Sequence, residues 1–330
     1  MSWQSALACW VLRRQFRPET LKPSINVQLA RARTAKRAWS PRVPPGWHLR
    51  EQYGATYAPL MGEWLERRAN AVSANTSGVG AAISHAGTRT ILLYLHGGGY
   101  YFCSPQTHRA IVFGLATRAD ARTFSLDYRL APEHPFPAAL DDALAAYRRL
   151  IADGTPPQSI VVAGDSAGGG LALATLVALR DAGDALPAGG ILFSPWTDLA
   201  ATGATLRSND GVDPMFAGAA LARAAKIYLG ETEPTHPYAS PLYADLHGLP
   251  PLFMQAGSTE VLLDDTRRVA DKARAAGVEV ELHIWSKMPH VWPIFAPFLP
   301  ESRRALDDAA CFVRRVTRAQ AAQASEMSMV

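Results

Sequence analysis

The chain has 330 residues, 48% hydrophobic and 19% charged, a globular balance with enough length for one large core. Its net charge of +4 is uneven: residues 1–50 hold ten Lys/Arg against the single acid Glu19, a net +9, and the rest carries −5. No apolar run reaches the roughly 18 residues a bilayer span needs, the short run 6–12 lacks the preceding basic residues of a secretion signal, and three scattered cysteines imply no disulfide framework, so a cytoplasmic chain is expected.

Residues 1–50 read as helix broken by Pro18, Pro23, Pro41, Pro44 and Pro45. They carry no nucleic-acid motif, and a solvated arginine-rich helix covering part of the acidic body is the expectation. Stretches 53–57 and 62–68 are candidate extra strands at one sheet edge. TILLYL (90–95) is a continuous apolar run, as a strand buried on both faces should be. A helical stretch at 105–119, a strand at 122–128, a helix at 138–152, a strand at 159–164 and a helix at 167–182 follow. Then come a strand at 189–194, an irregular region 200–247 with one helical piece (217–228), and a strand at 251–257. A helix at 263–276, a strand at 278–285 and a helix at 305–318 complete the pattern, with a frayed tail from about 320. Alternation of strand and helix implies an α/β fold, a mostly parallel sheet with helices on both faces.

In such a sheet function gathers at the carboxyl ends of the strands. Four pieces fall there, each after its own strand. Gly164-Asp165-Ser166-Ala167-Gly168 sits between strand and helix, the context of a nucleophile elbow. His96-Gly97-Gly98-Gly99 offers bare backbone N–H groups, and Gly98, Gly99 and Ala167 are the candidate oxyanion donors. His96 itself reads as structural. Of the four histidines after Ser166, His283 lies on a strand's wetter face with Glu279 and Glu281, and His236 and His247 fall in the irregular region. His290, in the loop KMPHVWP, is the candidate base. Among the acids of GSTEVLLDD, Glu260 follows the strand directly and is the candidate orienting acid. Asp264 is the alternative, although it and Asp265 also suit a helix's first turn. The chemistry is acyl transfer to water, which needs no cofactor, and no metal-ligand spacing is present.

The blocks YLHGGGYYFCSP, DYRLAPEHPFPAALDD, GDSAGGGLAL, SPWTDL, ASPLYADLHGLPP and GSTEVLLDD resemble the bacterial hormone-sensitive-lipase family of α/β-hydrolase esterases over most of 50–318. Within it the chain is similar to acetyl esterases and monoterpene ε-lactone hydrolases. The resemblance implies an eight-stranded sheet under a helical cap formed by 1–50 and roughly 200–235; the expected catalytic domain is 51–318, and the small, polar stretch 319–330 is expected as a flexible tail. It also implies short- to medium-chain acyl esters as small-molecule substrates, and a homodimer through the last strand's edge. Many members carry Asp-Pro-Leu where this chain has Glu260-Val261-Leu262. A lactone hydrolase or amidase would use the same triad. A non-catalytic binder of this fold would lack the histidine that stands here at 290.

Overall fold

The computed structural model describes residues 1–37, 39–53, 60–68 and 90–327. Eight strands form one sheet: β1 (Trp47–Gln52), β2 (Gly62–Arg67), β3 (Ile91–Leu95), β4 (Arg122–Leu126), β5 (Ile160–Asp165), β6 (Gly189–Phe193), β7 (Leu252–Gly257) and β8 (Val280–Trp285). Their spatial order is β1-β2-β4-β3-β5-β6-β7-β8. The first two pairings, β1 with β2 and β2 with β4, are antiparallel, and all others are parallel.

Successive side chains of a strand point to opposite faces, and here both faces are covered. Leu92, Tyr94, Val161, Ala163 and Phe193 pack with residues of α4 (Pro105–Ala119) and α10 (Pro300–Met327). Leu93, Leu95, Val162 and Leu192 pack with α5 (Ala138–Ala152), α6 (Ala167–Asp181) and α9 (Leu263–Ala275). That two-sided burial is why the central strands read as unbroken apolar runs.

The first sheet strand differs from expectation. It is β1, upstream of 53–57, and most of that stretch lies outside the described residues. β1 (WHLREQ) pairs with β2 along its whole length and buries chiefly Trp47, so its polar outer positions hide it from an apolar-run criterion. The sheet therefore begins at Trp47, and the boundary set at residue 50 falls inside a strand. At the other end the helix expected over 305–318 runs from Pro300 to Met327, so the reach 319–327, expected as a loose tail, is helical backbone. The segment QAAQASEM is rich in good helix formers and holds no Gly or Pro to stop the helix.

The basic arm folds as α1 (Trp3–Gln15), α2 (Arg17–Thr20, with Pro18 in its first turn) and α3 (Val27–Arg37). Its arginines reach the body. Arg13 donates to the carbonyls of Gly211 and Val212 at 2.6 and 2.8 Å. Arg17 donates to the carbonyls of Asp213 and Phe216 and pairs with Asp210. Arg31 donates to the Tyr101 and Ala131 carbonyls and forks onto Glu133. The irregular region contributes α7 (Thr205–Ser208) and α8 (Gly218–Leu229), joined by the loop on which Arg13 and Arg17 rest.

Candidate active site

Ser166 stands between β5 and α6 with φ 53° and ψ −122°, a left-handed backbone rare for a side-chain-bearing residue. Two facts hold it there. Its N–H donates to Phe193 O at 2.9 Å, and its carbonyl accepts from Trp196 N at 2.9 Å. The flanking glycines permit the turn: a Cβ on Gly164 would strike the Gly168 carbonyl, and one on Gly168 would strike the carbonyls of Leu95 and His96. Helix α6 thus starts pressed against β3 and β5, with the Ala167 N–H at its positive end.

The glycine loop after β3 lies beside this elbow. Gly98 and Gly99 have φ of 114° and 58°. Among the described residues, the N–H groups of Gly98, Gly99 and Ala167 donate to no protein acceptor. The Gly97 N–H is instead engaged by Asp165 Oδ1 at 3.1 Å. Asp165 also accepts from Tyr94 Oη at 2.7 Å and faces His108 Nε2 at 3.2 Å. Burial works to raise the Asp165 pKa, but His108 and the hydrogen bonds outweigh it and hold the carboxyl below its ordinary range. His96 is fully buried, its ring stacked on Tyr128 at 4.3 Å, and burial pushes its pKa down to about 3. Its carbonyl accepts from Tyr128 Oη at 2.7 Å, so it packs under the loop and stays neutral.

Glu260 and His290 meet. Nδ1 of His290 lies 2.7 Å from Glu260 Oε2, and both side chains are buried. The other oxygen, Oε1, accepts from Ser194 Oγ at 2.7 Å and from the Gly257 N–H. Burial alone would lower the His290 pKa. The Glu260 carboxylate and its hydrogen bond, with Asp213 and Asp165 farther off, raise it above the ordinary histidine value instead. His290 Nε2 is buried without a hydrogen-bond partner among the described residues, and no hydrogen bond joins it to Ser166 Oγ.

Register brings Ser166 toward this pair. Asp165 is level with Phe193 on β6, and Phe193 with Gln255 on β7. Phe193 O takes the Ser166 N–H, while the next residue, Ser194, bonds Glu260 and accepts from Val291 N at 3.2 Å. One step along β6 therefore links the elbow to the acid and to the histidine loop.

The other acids and histidines lie elsewhere. Asp264 accepts from Thr205 N at 3.0 Å. Asp265 accepts from the N–H groups of Thr197 and Asp198, and its pKa is pushed up to about 7, first by burial. Both sit in the first turn of α9. His283, on β8, faces Glu281 and the Asp308 of α10, His247 is exposed beside Asp245, and His236 packs near Phe136.

Several residues around the site carry no motif signal. Ser194 bridges the acid and the histidine loop from 66 and 97 residues away in the chain. Asp213, fully buried, accepts from Met215 N and Phe216 N through Oδ1 and from Val261 N through Oδ2. Asn209 donates to the carbonyls of Ser258 and Glu260. The Phe216 ring meets His290 edge-on at 5.1 Å. Only their contacts across the fold mark these residues, and those are invisible in a single sequence.

Residues 92–294 match a family model described as the alpha/beta hydrolase fold. The chain belongs to that family. Its curated relatives are esterases by name: an acetyl-hydrolase of Streptomyces hygroscopicus is 50% identical over 226 residues, 68% of this chain and 76% of that one. An esterase of Acinetobacter venetianus is 39% identical over 69% of this chain and 76% of its own length. Among solved structures, an esterase from the bacterial hormone-sensitive lipase family has 39% identity and a TM-score of 0.84, covering 96% of this hydrolase and 99% of that chain. EstE5, soaked with p-nitrophenyl butyrate, has 37% identity and a TM-score of 0.83 over 96% of this chain and all of its own. The resemblance to the bacterial hormone-sensitive-lipase esterases therefore holds, and this hydrolase is a carboxylic ester hydrolase. Among its described residues no helix is long and apolar enough to cross a membrane, and no cluster of three His, Cys, Asp or Glu could hold a metal.

Proposed function

We propose that this hydrolase cleaves short- to medium-chain acyl esters through Ser166, His290 and Glu260. The observation that carries the reading is the 2.7 Å contact between His290 Nδ1 and the Glu260 carboxylate. A carboxylate oxygen accepts, so Nδ1 carries the proton and the Nε2 lone pair is free to act as base. Ser166 Oγ attacks the ester carbonyl carbon and its proton passes to His290 Nε2. The carbonyl electrons move to oxygen, which the N–H groups of Gly98, Gly99 and Ala167 receive. As the tetrahedral intermediate collapses, the imidazolium returns the proton to the leaving alcohol. Water then repeats the sequence on the acyl-serine, releasing acid and free enzyme. Glu260 holds the tautomer and balances the imidazolium charge without taking the proton.

The acyl range is supported by the acetyl-hydrolase relative at 50% identity and by the butyrate ester given to EstE5. In this reading residues 1–46 and roughly 200–235 form the cap, β8 offers its outer edge to a second copy, and the chain resides in the cytoplasm. The test compares p-nitrophenyl acetate, butyrate and dodecanoate, an ε-lactone and an anilide, with a phosphonate that labels active serines. Turnover should fall steeply by dodecanoate, and label should enter the native chain but not Ser166→Ala. Labelling of Ser166→Ala, or preference for the long ester, would refute the reading. A higher kcat/KM for the lactone or anilide would reassign the substrate and leave the triad standing.

A further inference from the structure

Helix α1 turns an apolar edge to solvent. Trp3, Leu7 and Trp10 are 72%, 51% and 52% exposed. At 3.6 residues per turn they fall, with Arg14, within roughly 60° of arc. The Arg14 guanidinium lies over the Trp10 ring at 4.5 Å. The opposite side of α1 is anchored: Ser5 is buried, and Glu301 at the start of α10 accepts from Ser2 N, Ser2 Oγ and Ser5 Oγ at 2.5, 2.8 and 2.9 Å. The stripe is therefore held outward by the fold. Beside this anchor, three residues before Glu301, Phe298 packs on Trp39 at 4.8 Å, and the two are 58% and 48% exposed. Exposed aromatic and aliphatic side chains lined along one helix face are rare on a protein that acts alone in water.

Cations without a carboxylate partner accompany these side chains. Arg14, Lys36 and Arg42 are exposed and make no salt bridge among the described residues. Lys36 and Arg42 flank Trp39 in the chain, and the whole segment 1–50 is +9. A two-fold contact through this patch would set those cations against their own copies. An anionic lipid surface meets both features at once, with Trp and Leu entering the acyl boundary and the cations among the headgroups. The far end of α1 and the start of α2 are tied to the site: Arg13 and Arg17 hold the loop 211–216, whose Phe216 touches His290.

We propose that the Trp3–Leu7–Trp10 face of α1 docks this hydrolase on anionic membrane surfaces, presenting its catalytic rim to esters dissolved at the interface. The α1 stripe is exposed whichever residues perform the chemistry. Only the orientation of the site rests on the triad assignment.

The full chain is co-sedimented with vesicles of equal parts phosphatidylglycerol and phosphatidylcholine, and with phosphatidylcholine alone, at low and high salt. Two variants are run beside it, Trp3→Ser/Leu7→Gln/Trp10→Gln and the single Leu7→Glu. Native protein should bind the anionic vesicles and weaken with salt, and both variants should bind on the order of tenfold less. Both should hydrolyse dissolved p-nitrophenyl acetate at the native rate, which also shows that they are folded. Failure of the native chain to sediment with anionic vesicles, or undiminished binding by the folded variants, would overturn the proposal. So would a native dimer in sedimentation velocity that the variants turn into monomer, since the stripe would then be a subunit contact.

Discussion

Glu260 Oε2 sits 2.7 Å from His290 Nδ1, and its Oε1 is held by Ser194 Oγ at the same distance. The carboxylate therefore has both oxygens committed in a site with almost no solvent, and its charge is directed at one ring nitrogen. Such an acid orients an imidazole rather than trading protons with it.

This geometry predicts a pH profile. The His290 pKa is raised in the folded chain, against burial, chiefly by Glu260. Protonated His290 therefore stabilises the fold below the unfolded-state pKa, and that contribution is lost as pH rises through the folded value. The base is active only when neutral, so kcat/KM should climb with pH through a midpoint above about 6.5. In Glu260→Gln the midpoint should move to lower pH, with kcat down roughly 10²- to 10⁴-fold. Asp264→Asn should leave both within a few-fold. A pH–rate profile of the three proteins decides it, and an unmoved midpoint in Glu260→Gln would exclude this acid.

Backbone strain at Ser166 predicts a trade of stability for activity. The residue keeps φ at 53° with a Cβ in place. Ser166→Gly should be more stable than Ser166→Ala by about 1–2 kcal/mol, because glycine occupies that region without the clash. Both should be inactive. Denaturant melts of the pair measure the difference, and equal stabilities would mean the turn is unstrained.

Ser194 should matter more than its silence in the sequence suggests. Its hydroxyl donates to Glu260 and accepts from the backbone N–H following His290. Ser194→Ala should cost about 1.5–3 kcal/mol of stability, the range for a buried hydrogen bond to a charged group. It should also lower kcat roughly 10- to 100-fold with KM little changed, because the acid and the histidine loop lose the hydroxyl that joins them. Steady-state kinetics with p-nitrophenyl acetate would expose a merely structural role as a melt shift with native kcat.

Gly168 is a packing requirement rather than a catalytic one. A methyl there would collide with the carbonyls of Leu95 and His96, which are backbone atoms of the central sheet and cannot swing aside. Gly168→Ala should lose about 3 kcal/mol or more, or fail to accumulate as folded protein. Thermal unfolding by circular dichroism reads this directly, and a near-native melt would show that α6 does not press on β3.

The Ser166 turn, the glycine loop and the loop position of His290 were legible because each answers a local requirement. A tight strand-to-helix turn needs small neighbours, bare amides need glycine, and a loop histidine after the last strand has few structural uses. The central strands were legible for the same kind of reason, since burial on both faces leaves an unbroken apolar run. Glu260 was favoured over Asp264 by its place after β7, yet it was the tertiary fold that bonded the first to His290 and the second to Thr205. β1 escaped notice because its solvent side is polar, and α10 outran its expected end because no residue there stops it.

By itself, then, the sequence determined the alternating α/β order and the residue types able to attack, to accept a proton and to cradle an anion, since these depend on neighbours a few positions away. Only the tertiary structure decided that Ser194 braces the acid, that Asp213 ties the Val261 amide to the Phe216 loop, and that α1 turns its tryptophans outward. The physical reason is distance along the chain. Those contacts join residues tens to hundreds of positions apart, and whether a side chain finds a partner or water depends on how the sheet stacks its layers, which no local pattern encodes.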